Sequence, residues 1–171
     1  EAWHAEAEQR GLKNLRTTPD ALPEVIADQT VQAFEKYHVL NHRELESRFE
    51  VWIEQYVVRA NIEAETTEDI ARTMLLPAAL RYLALIGSAE TGAVAEQVRP
   101  LVDDLVAALG ELDEANVYPD GIEEGLDLAE YARDNQLPAM AKVREVADAL
   151  EKVVADDLWP LPKYSEILFI K

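Results

Sequence analysis

Residues 42–74 read HRELESRFEVWIEQYVVRANIEAETTEDIARTM, and the spacing of their apolar side chains decides the fold class. Large apolar and small residues recur there every three or four positions, which places them on one side of an α-helix. This side is formed by Leu45, Phe49, Trp52, Tyr56, Ala60, Ala64, Thr67, Ala71 and Met74, and it is widened by Ile53 and Val57. The pattern predicts one long helix, capped by Asn41 and buried along most of this side.

Helical spacing also recurs before this helix, and few segments of the chain alternate with the period of a β-strand. We expect helical turns over residues 1–9, ended by Gly11, and a helix from Pro23 to about Tyr37. Near the end of the long helix, Pro77 lacks the N–H that would donate to the carbonyl four residues earlier. We therefore expect a kink near Leu76.

After a break near Gly87, the spacing predicts three further helical segments. The first is capped by Thr91, bent at Pro100 and ends near Asn116. Turn residues at positions 118–121 lead to a weaker helix over residues 122–135, and Pro138 opens the last helix.

The sequence thus predicts an all-α fold, an antiparallel helical bundle around one long helix kinked near Pro77, with an extended C-terminal tail. We expect a single domain over residues 1–171, in which residues 1–18 are a connection from an upstream segment and residues 19–157 form the bundle. Residues 158–171 contain Trp159, two prolines and the apolar run 167–170, so we expect them to dock as a tail.

The composition excludes several classes of protein. With 171 residues, 49% of them hydrophobic, the chain is long enough to bury a core, and the absence of cysteine favours a cytoplasmic location. A formal net charge of −18 repels phosphate backbones and anionic lipids, so we expect no nucleic acid and no membrane as partners. We also find no apolar run close to the roughly 20 residues of a membrane span.

Two Glu-x-x-His patterns are the sharpest hypothesis for local chemistry. Glu1 with His4, and Glu35 with His38, have the ligand spacing of di-iron helical bundles. One pattern lies at the start of the sequence and the other just before the predicted helix start at Asn41, so neither has the mid-helix position that such ligands need. We interpret these side chains as surface residues and expect no metal site.

Other catalytic arrangements have little support in the sequence. Ser47, Ser88 and Ser165 lack a glycine-rich elbow or a nearby histidine, and there is no Walker-type or dinucleotide-binding loop. Carboxylates at helical spacing, such as Glu63 and Glu68, are interpreted as a solvated face. We therefore assign no catalytic, cofactor-binding or metal-binding residue to this chain.

Several blocks of the sequence resemble type III glutamine synthetases. Residues 3–8 (WHAEAE) and 14–18 (NLRTT) resemble the segment just after the catalytic domain of that family, and residues 43–50 (RELESRFE) resemble its long helix. Residues 158–164 (LWPLPKY) resemble its C-terminal end. Phe49 stands where the family pattern has Tyr, and residues 87–135 contain no matching motif, so we interpret them as a variable insertion.

The resemblance implies a C-terminal structural or assembly domain of a glutamate–ammonia ligase whose catalytic core lies upstream. That parent enzyme is expected to use ATP and Mg²⁺ or Mn²⁺ and to form a dodecamer of two hexameric rings, so the partners of this chain would be its own catalytic core and neighbouring subunits. Two alternatives remain open, an independent acidic helical interaction module and a carboxylate-rich metalloprotein.

Overall fold

The computed structural model describes residues 2–87 and 92–169, and within these ranges the chain is helical and contains no strand. The α-helices are α1 (Ala2–Gln9), α2 (Thr18–Ala21), α3 (Asp28–Lys36), α4 (His42–Ile70), α5 (Leu76–Gly87), α6 (Gly92–Ala115), α7 (Leu126–Tyr131), α8 (Leu137–Glu151) and α9 (Tyr164–Leu168). The prediction of an all-α fold with one long helix is confirmed. The predicted cap at Thr91 lies outside the described residues.

The chain divides into two compact units, and each is built from two stretches of sequence. The first unit comprises Glu1–Arg59 and Gly121–Arg133, and the second comprises Ala60–Asp120 and Asp134–Lys171. Two of the three boundaries fall inside helical segments, one in α4 after Arg59 and one in the helical turns Ala132–Gln136 after Arg133, and the third falls in the turn at residues 120–121. The expected division into residues 1–18, 19–157 and 158–171 stays a prediction.

The N-terminal part of the first unit is more structured than the sequence suggested. Residues 17 and 18, which we expected to belong to the connection, start α2 with a capping box: Thr17 Oγ1 accepts from the Asp20 N–H at 3.3 Å, and Asp20 Oδ2 accepts from the Thr17 N–H at 3.2 Å. The helix expected from Pro23 is divided into a 3₁₀ turn, Leu22–Val25, and α3. The Thr30 hydroxyl donates to the Glu24 carbonyl at 2.7 Å across this division, an alternative to continued helical bonding.

Two predicted helix ends are confirmed by local geometry. Asn41 Oδ1 accepts from the Glu44 N–H at 3.0 Å, and Glu44 Oε2 accepts from the Asn41 N–H at 2.8 Å, which forms the capping box of α4. Gly11 has a φ of 74° at the end of α1, the left-handed conformation in which glycine has no Cβ penalty.

The first unit has a small apolar core between α4 and the segment around α7. Ile53, Val57 and Ala129 are buried, and the partly buried residues packed on them are Leu22, Phe49, Tyr56, Leu126 and Leu128. An ion pair of 2.8 Å between Arg133 and Asp20 lies in the same unit. The buried line on α4 therefore includes Ile53 and Val57, whereas Trp52, which we expected to be buried, is 43% exposed.

The second unit contains the larger core, formed mainly by α5, α6 and α8. The residues of α6 that are buried in it are Val98, Val102, Leu105, Ala108, Leu109, Leu112 and Ala115. The small residues Ala64, Ala71 and Ala79 face this core from the preceding helical segments and allow close approach of the backbones. α6 is thus a central element of this unit, whereas the interpretation of residues 87–135 as a variable insertion stays a prediction.

Two π turns precede two prolines in nearly the same local sequence. Ala71–Leu75 (ARTML) precedes Leu76-Pro77-Ala78, and Ala132–Gln136 (ARDNQ) precedes Leu137-Pro138-Ala139. Each proline lacks the N–H needed for α-helical bonding, and a π turn changes the bonding partners just before that position. The kink near Pro77 stays a prediction. The expected start of the last helix at Pro138 is confirmed, because α8 begins at Leu137 with this proline in its first turn. Helical turns nevertheless continue without a break from Leu126 to Glu151.

The tail is partly docked and partly exposed. Trp159 is buried in the core of the second unit, with Leu158 and Leu161 packed against that core. Its indole Nε1 has no hydrogen-bond partner among the described residues. Beyond Lys163, which forms an ion pair of 2.8 Å with Asp156, the chain forms α9 instead of the extended conformation that we expected. Ile167, Leu168 and Phe169 are 59–70% exposed.

The helical run His42–Gly87 is long and apolar enough to cross a membrane by length and composition. Only 22% of its most apolar stretch of 18 residues is buried. A single helix of this kind is weak support for a membrane span, because helices of soluble proteins meet the same criterion. The expectation that the protein has no membrane partner therefore stays a prediction.

Candidate functional site

A hydrogen-bonded polar cluster lies inside the second unit and is centred on Gln136. Among the described residues, Gln136 is the one polar side chain that is fully buried, with 2% exposure. Its Nε2 donates to Asn61 Oδ1 at 3.0 Å and to Asn116 Oδ1 at 3.4 Å. The Tyr118 hydroxyl donates to Asn61 Oδ1 and, at 3.5 Å, to Gln136 Oε1. The cluster therefore joins α4, the end of α6 and the second π turn.

Charged side chains extend this cluster towards the surface. Asn116 Nδ2 donates to Glu68 Oε2 at 2.9 Å, and Glu68 Oε1 accepts from Arg72 Nε at 2.7 Å. Arg72 also lies 3.6 Å from Asp113. The donors named here are hydrogen-bonded to acceptors of the same cluster. Such an arrangement is typical of a structural network that fixes the positions of helices.

Each unit also has an open groove with an apolar floor. The groove of the second unit has a volume of about 650 Å³, and its lining includes Ile62, Ile70, Met140 and Leu161. The Arg144–Asp148 ion pair, 3.7 Å long, lies at its edge. The groove of the first unit has a volume of about 600 Å³ and is lined by α4 and residues 124–128.

The structure gives the candidate metal ligands other contacts. His4 Nδ1 lies 2.8 Å from the Arg16 guanidinium, and Glu35 Oε1 accepts from the His42 N–H at 3.2 Å. His38 follows α3 with a φ of 56°. Glu1 lies outside the described residues, and within the described part of the chain no group of three or more His, Asp or Glu side chains could hold a metal ion.

The remaining candidates lie at the surface or belong to local helix contacts. Ser47 and Ser165 are exposed, and Ser88 lies outside the described residues. Arg48 and Glu63 are exposed as well: the Arg48 guanidinium donates to the Glu44 carbonyl at 3.0 Å, and the Glu63 carbonyl accepts from a neighbouring hydroxyl. Among those of these residues that the structure describes, the contacts are local to one helix and form no site.

We did not predict the cluster around Gln136 from the sequence. One part of it could have been found, because Asn61 follows Val57 by four residues and so lies on the buried side of α4. An amide on that side must find partners within the fold. Its partners Tyr118 and Gln136 are 57 and 75 residues away, and no local pattern could pair them.

A family model described as the glutamine synthetase C-terminal domain matches residues 1–91, more than half of the chain. The chain belongs to this family. The glutamine synthetase C-terminal domain match covers α1 to α5, and so includes the long helix and the first π turn.

Several glutamine synthetases can be aligned with nearly the whole chain. The type-3 glutamine synthetase of Dictyostelium discoideum is 30% identical over 187 aligned positions, which cover 99% of this chain and 25% of the relative. The glutamine synthetase of Bacteroides fragilis strain YCH46 is 26% identical, covering 100% of this chain and 26% of the relative. That of Butyrivibrio fibrisolvens is also 26% identical, with 98% and 26% covered. The chain thus spans about a quarter of the length of these relatives.

Proposed function

We propose that this chain is the C-terminal structural domain of a type III glutamine synthetase and that it supports assembly of the enzyme. The observation that carries this proposal is the alignment of nearly the whole chain with about a quarter of each relative. The reaction, formation of glutamine from glutamate, ammonia and ATP through a γ-glutamyl phosphate, is assigned to the part of the polypeptide outside this chain.

Two features of the side chains support a structural role. The polar residues of the second unit are bonded to one another around Gln136, an arrangement that holds helices in place. Apolar side chains such as Leu80, Leu85 and Leu168 are exposed, and an assembled enzyme would cover such surface. Glutamine synthetases generally form oligomers, and their homologues are soluble enzymes.

The finer expectations belong to the same proposal. The parent enzyme is a dodecamer of two hexameric rings in the cytoplasm, and it uses ATP with Mg²⁺ or Mn²⁺ bound in the catalytic core. This chain contacts its own catalytic core and neighbouring subunits, and it has no nucleic-acid or membrane partner.

Comparison of the full synthetase with a version lacking this chain tests the proposal. The coding sequence upstream of Glu1 is determined first and should encode a synthetase core of several hundred residues. Without this chain, the core should sediment as smaller species and form less glutamine, whereas this chain alone should form none. An upstream region without such a core would favour the independent interaction module, and unchanged assembly after deletion would refute the assembly role.

A further inference from the structure

The groove of the first unit combines an apolar floor with an acidic rim, and we call it the glutamate groove. Its floor is formed by Phe49, Ile53, Val57 and Leu128, and its rim by Glu50, Glu54 and Glu124. The two parts come from the same local pattern, because α4 places Glu50 and Glu54 one turn apart directly beside Ile53 and Val57. Val58, which is 49% exposed, forms one edge.

The rim charges are not compensated within the described part of the chain. No lining residue of the glutamate groove is basic, and Glu50, Glu54 and Glu124 form no ion pair with any described residue. Like charges four residues apart on a helix repel each other. The groove of the second unit differs, since Arg144 and Asp148 form an ion pair at its edge.

We propose that the glutamate groove binds a basic amphipathic helix from the upstream part of the same synthetase subunit. Apolar side chains of that helix would contact the floor, and Lys or Arg residues beside them would pair with the rim. A second copy of this chain fits the rim poorly, because it has 16 Lys and Arg against 34 Asp and Glu. Three quarters of the length of the relatives lies outside this chain and can supply such a helix.

We place the binding helix in the same subunit because the catalytic core and this chain belong to one polypeptide. This step rests on the proposed function. In the proposed arrangement the catalytic core precedes residue 1, and residues 1–59 belong to the unit that contains the groove. A segment of the same polypeptide has a high effective concentration at the groove, so modest contacts suffice for binding.

Photo-cross-linking in the full-length synthetase tests this inference. A benzoylphenylalanine replaces Val58, which lies at the groove edge, and the cross-linked peptide is identified by mass spectrometry. We expect a product with the mass of one subunit, joined to an upstream segment in which Lys or Arg flanks apolar residues. The triple variant E50Q/E54Q/E124Q should lower the yield about tenfold. A matched triple variant on exposed acidic positions of the second unit, E96Q/D104N/E114Q, should not change it.

Stability measurements separate binding from a merely structural role of the three glutamates. In the isolated chain, E50Q/E54Q/E124Q should keep or slightly raise the melting temperature, because it removes like-charge repulsion. In the full synthetase, the same variant should show a cross-linking yield about tenfold lower, although the isolated chain stays folded.

Several results would overturn the inference. One is a cross-linked product with the mass of two subunits, and another is a cross-linked segment without basic residues. The inference also fails if E50Q/E54Q/E124Q leaves the cross-linking yield unchanged, or if no cross-link forms. Sedimentation of the same samples and of the enzyme lacking this chain reports on the assembly role separately. Loss of assembly on deletion, together with any of these cross-linking results, would refute the groove assignment and leave the proposed function intact.

Discussion

At the scale of single residues, the buried amide of Gln136 restricts how the helices of the second unit can pack. Its side chain bonds to Asn61 and Asn116, which belong to segments far apart in the sequence. A buried polar group that loses its partner costs more free energy than an ordinary hydrogen bond contributes. Any other packing of these helices that separates the amides would leave buried polar groups without hydrogen bonds and would therefore be less stable.

Substitution of Gln136 should destabilise the chain strongly. In Gln136→Ala, Asn61, Asn116 and Tyr118 lose a buried partner and a cavity remains, so we expect a loss of about 2–4 kcal/mol in the free energy of unfolding. Chemical denaturation followed by circular dichroism measures it. Gln55→Ala, on the exposed side of α4, is the matched control and should change stability by less than about 0.5 kcal/mol. Equal effects of the two substitutions would contradict a structural role of the cluster.

At the scale of helices, the prolines of the three helices α5, α6 and α8 have different surroundings. Pro77 and Pro138 each follow a π turn, whereas Pro100 lies inside α6, where no π turn precedes it. A proline within regular α-helix loses one hydrogen bond and clashes with the carbonyl four residues earlier. A π turn before the proline changes this local geometry and lowers the penalty.

The proline-to-alanine series should therefore give unequal results. We expect Pro100→Ala to raise the free energy of unfolding by about 1–2 kcal/mol, because α6 regains a hydrogen bond, in part offset by greater freedom of the unfolded chain. Pro77→Ala and Pro138→Ala should change it by less than about 1 kcal/mol in either direction. Thermal melts of the three variants measure the difference. A similar gain in all three would mean that the π turns do not accommodate the prolines.

The helices also indicate what the sequence could and could not reveal. Local rules identified α4 with its Asn41 cap and the glycine end of α1, because spacing, caps and glycine act over a few residues. The exposure of Trp52 was not predictable, since it depends on which elements pack against α4. Pro138 was correctly placed at a helix start, but the π turn that joins α7 to α8 was missed, because local residue patterns do not distinguish π from α bonding.

At the scale of the whole molecule, the net charge of −18 and the lack of a glycine-rich phosphate loop bear on nucleotide binding. A phosphate site needs backbone N–H groups or cations directed at the anion, and a divalent metal needs clustered carboxylates. We expect calorimetric titration of the isolated chain with ATP and Mg²⁺ to give no saturable heat. The full-length synthetase is the control and should bind. A saturable micromolar signal from the isolated chain would contradict the assignment of catalysis to the upstream part.

Two truncations of the tail, one shorter than the other, separate its contribution to the stability of this chain from its contribution to assembly. Ending the chain after Asp157 removes buried Trp159 and the packed Leu161, so we expect a loss of about 3–5 kcal/mol and a fall in melting temperature of about 10 °C. Ending it after Lys163 removes only α9 and the residues beyond it, and Ile167 to Phe169 are exposed, so the isolated chain should melt almost unchanged. In the full synthetase, however, the shorter truncation should weaken assembly, because an exposed apolar run of this kind is typical of an interaction surface. Paired thermal melts and sedimentation decide this. If ending the chain after Lys163 alters neither stability nor assembly, α9 has no docking role, and only the segment around Trp159 is a structural part of the tail.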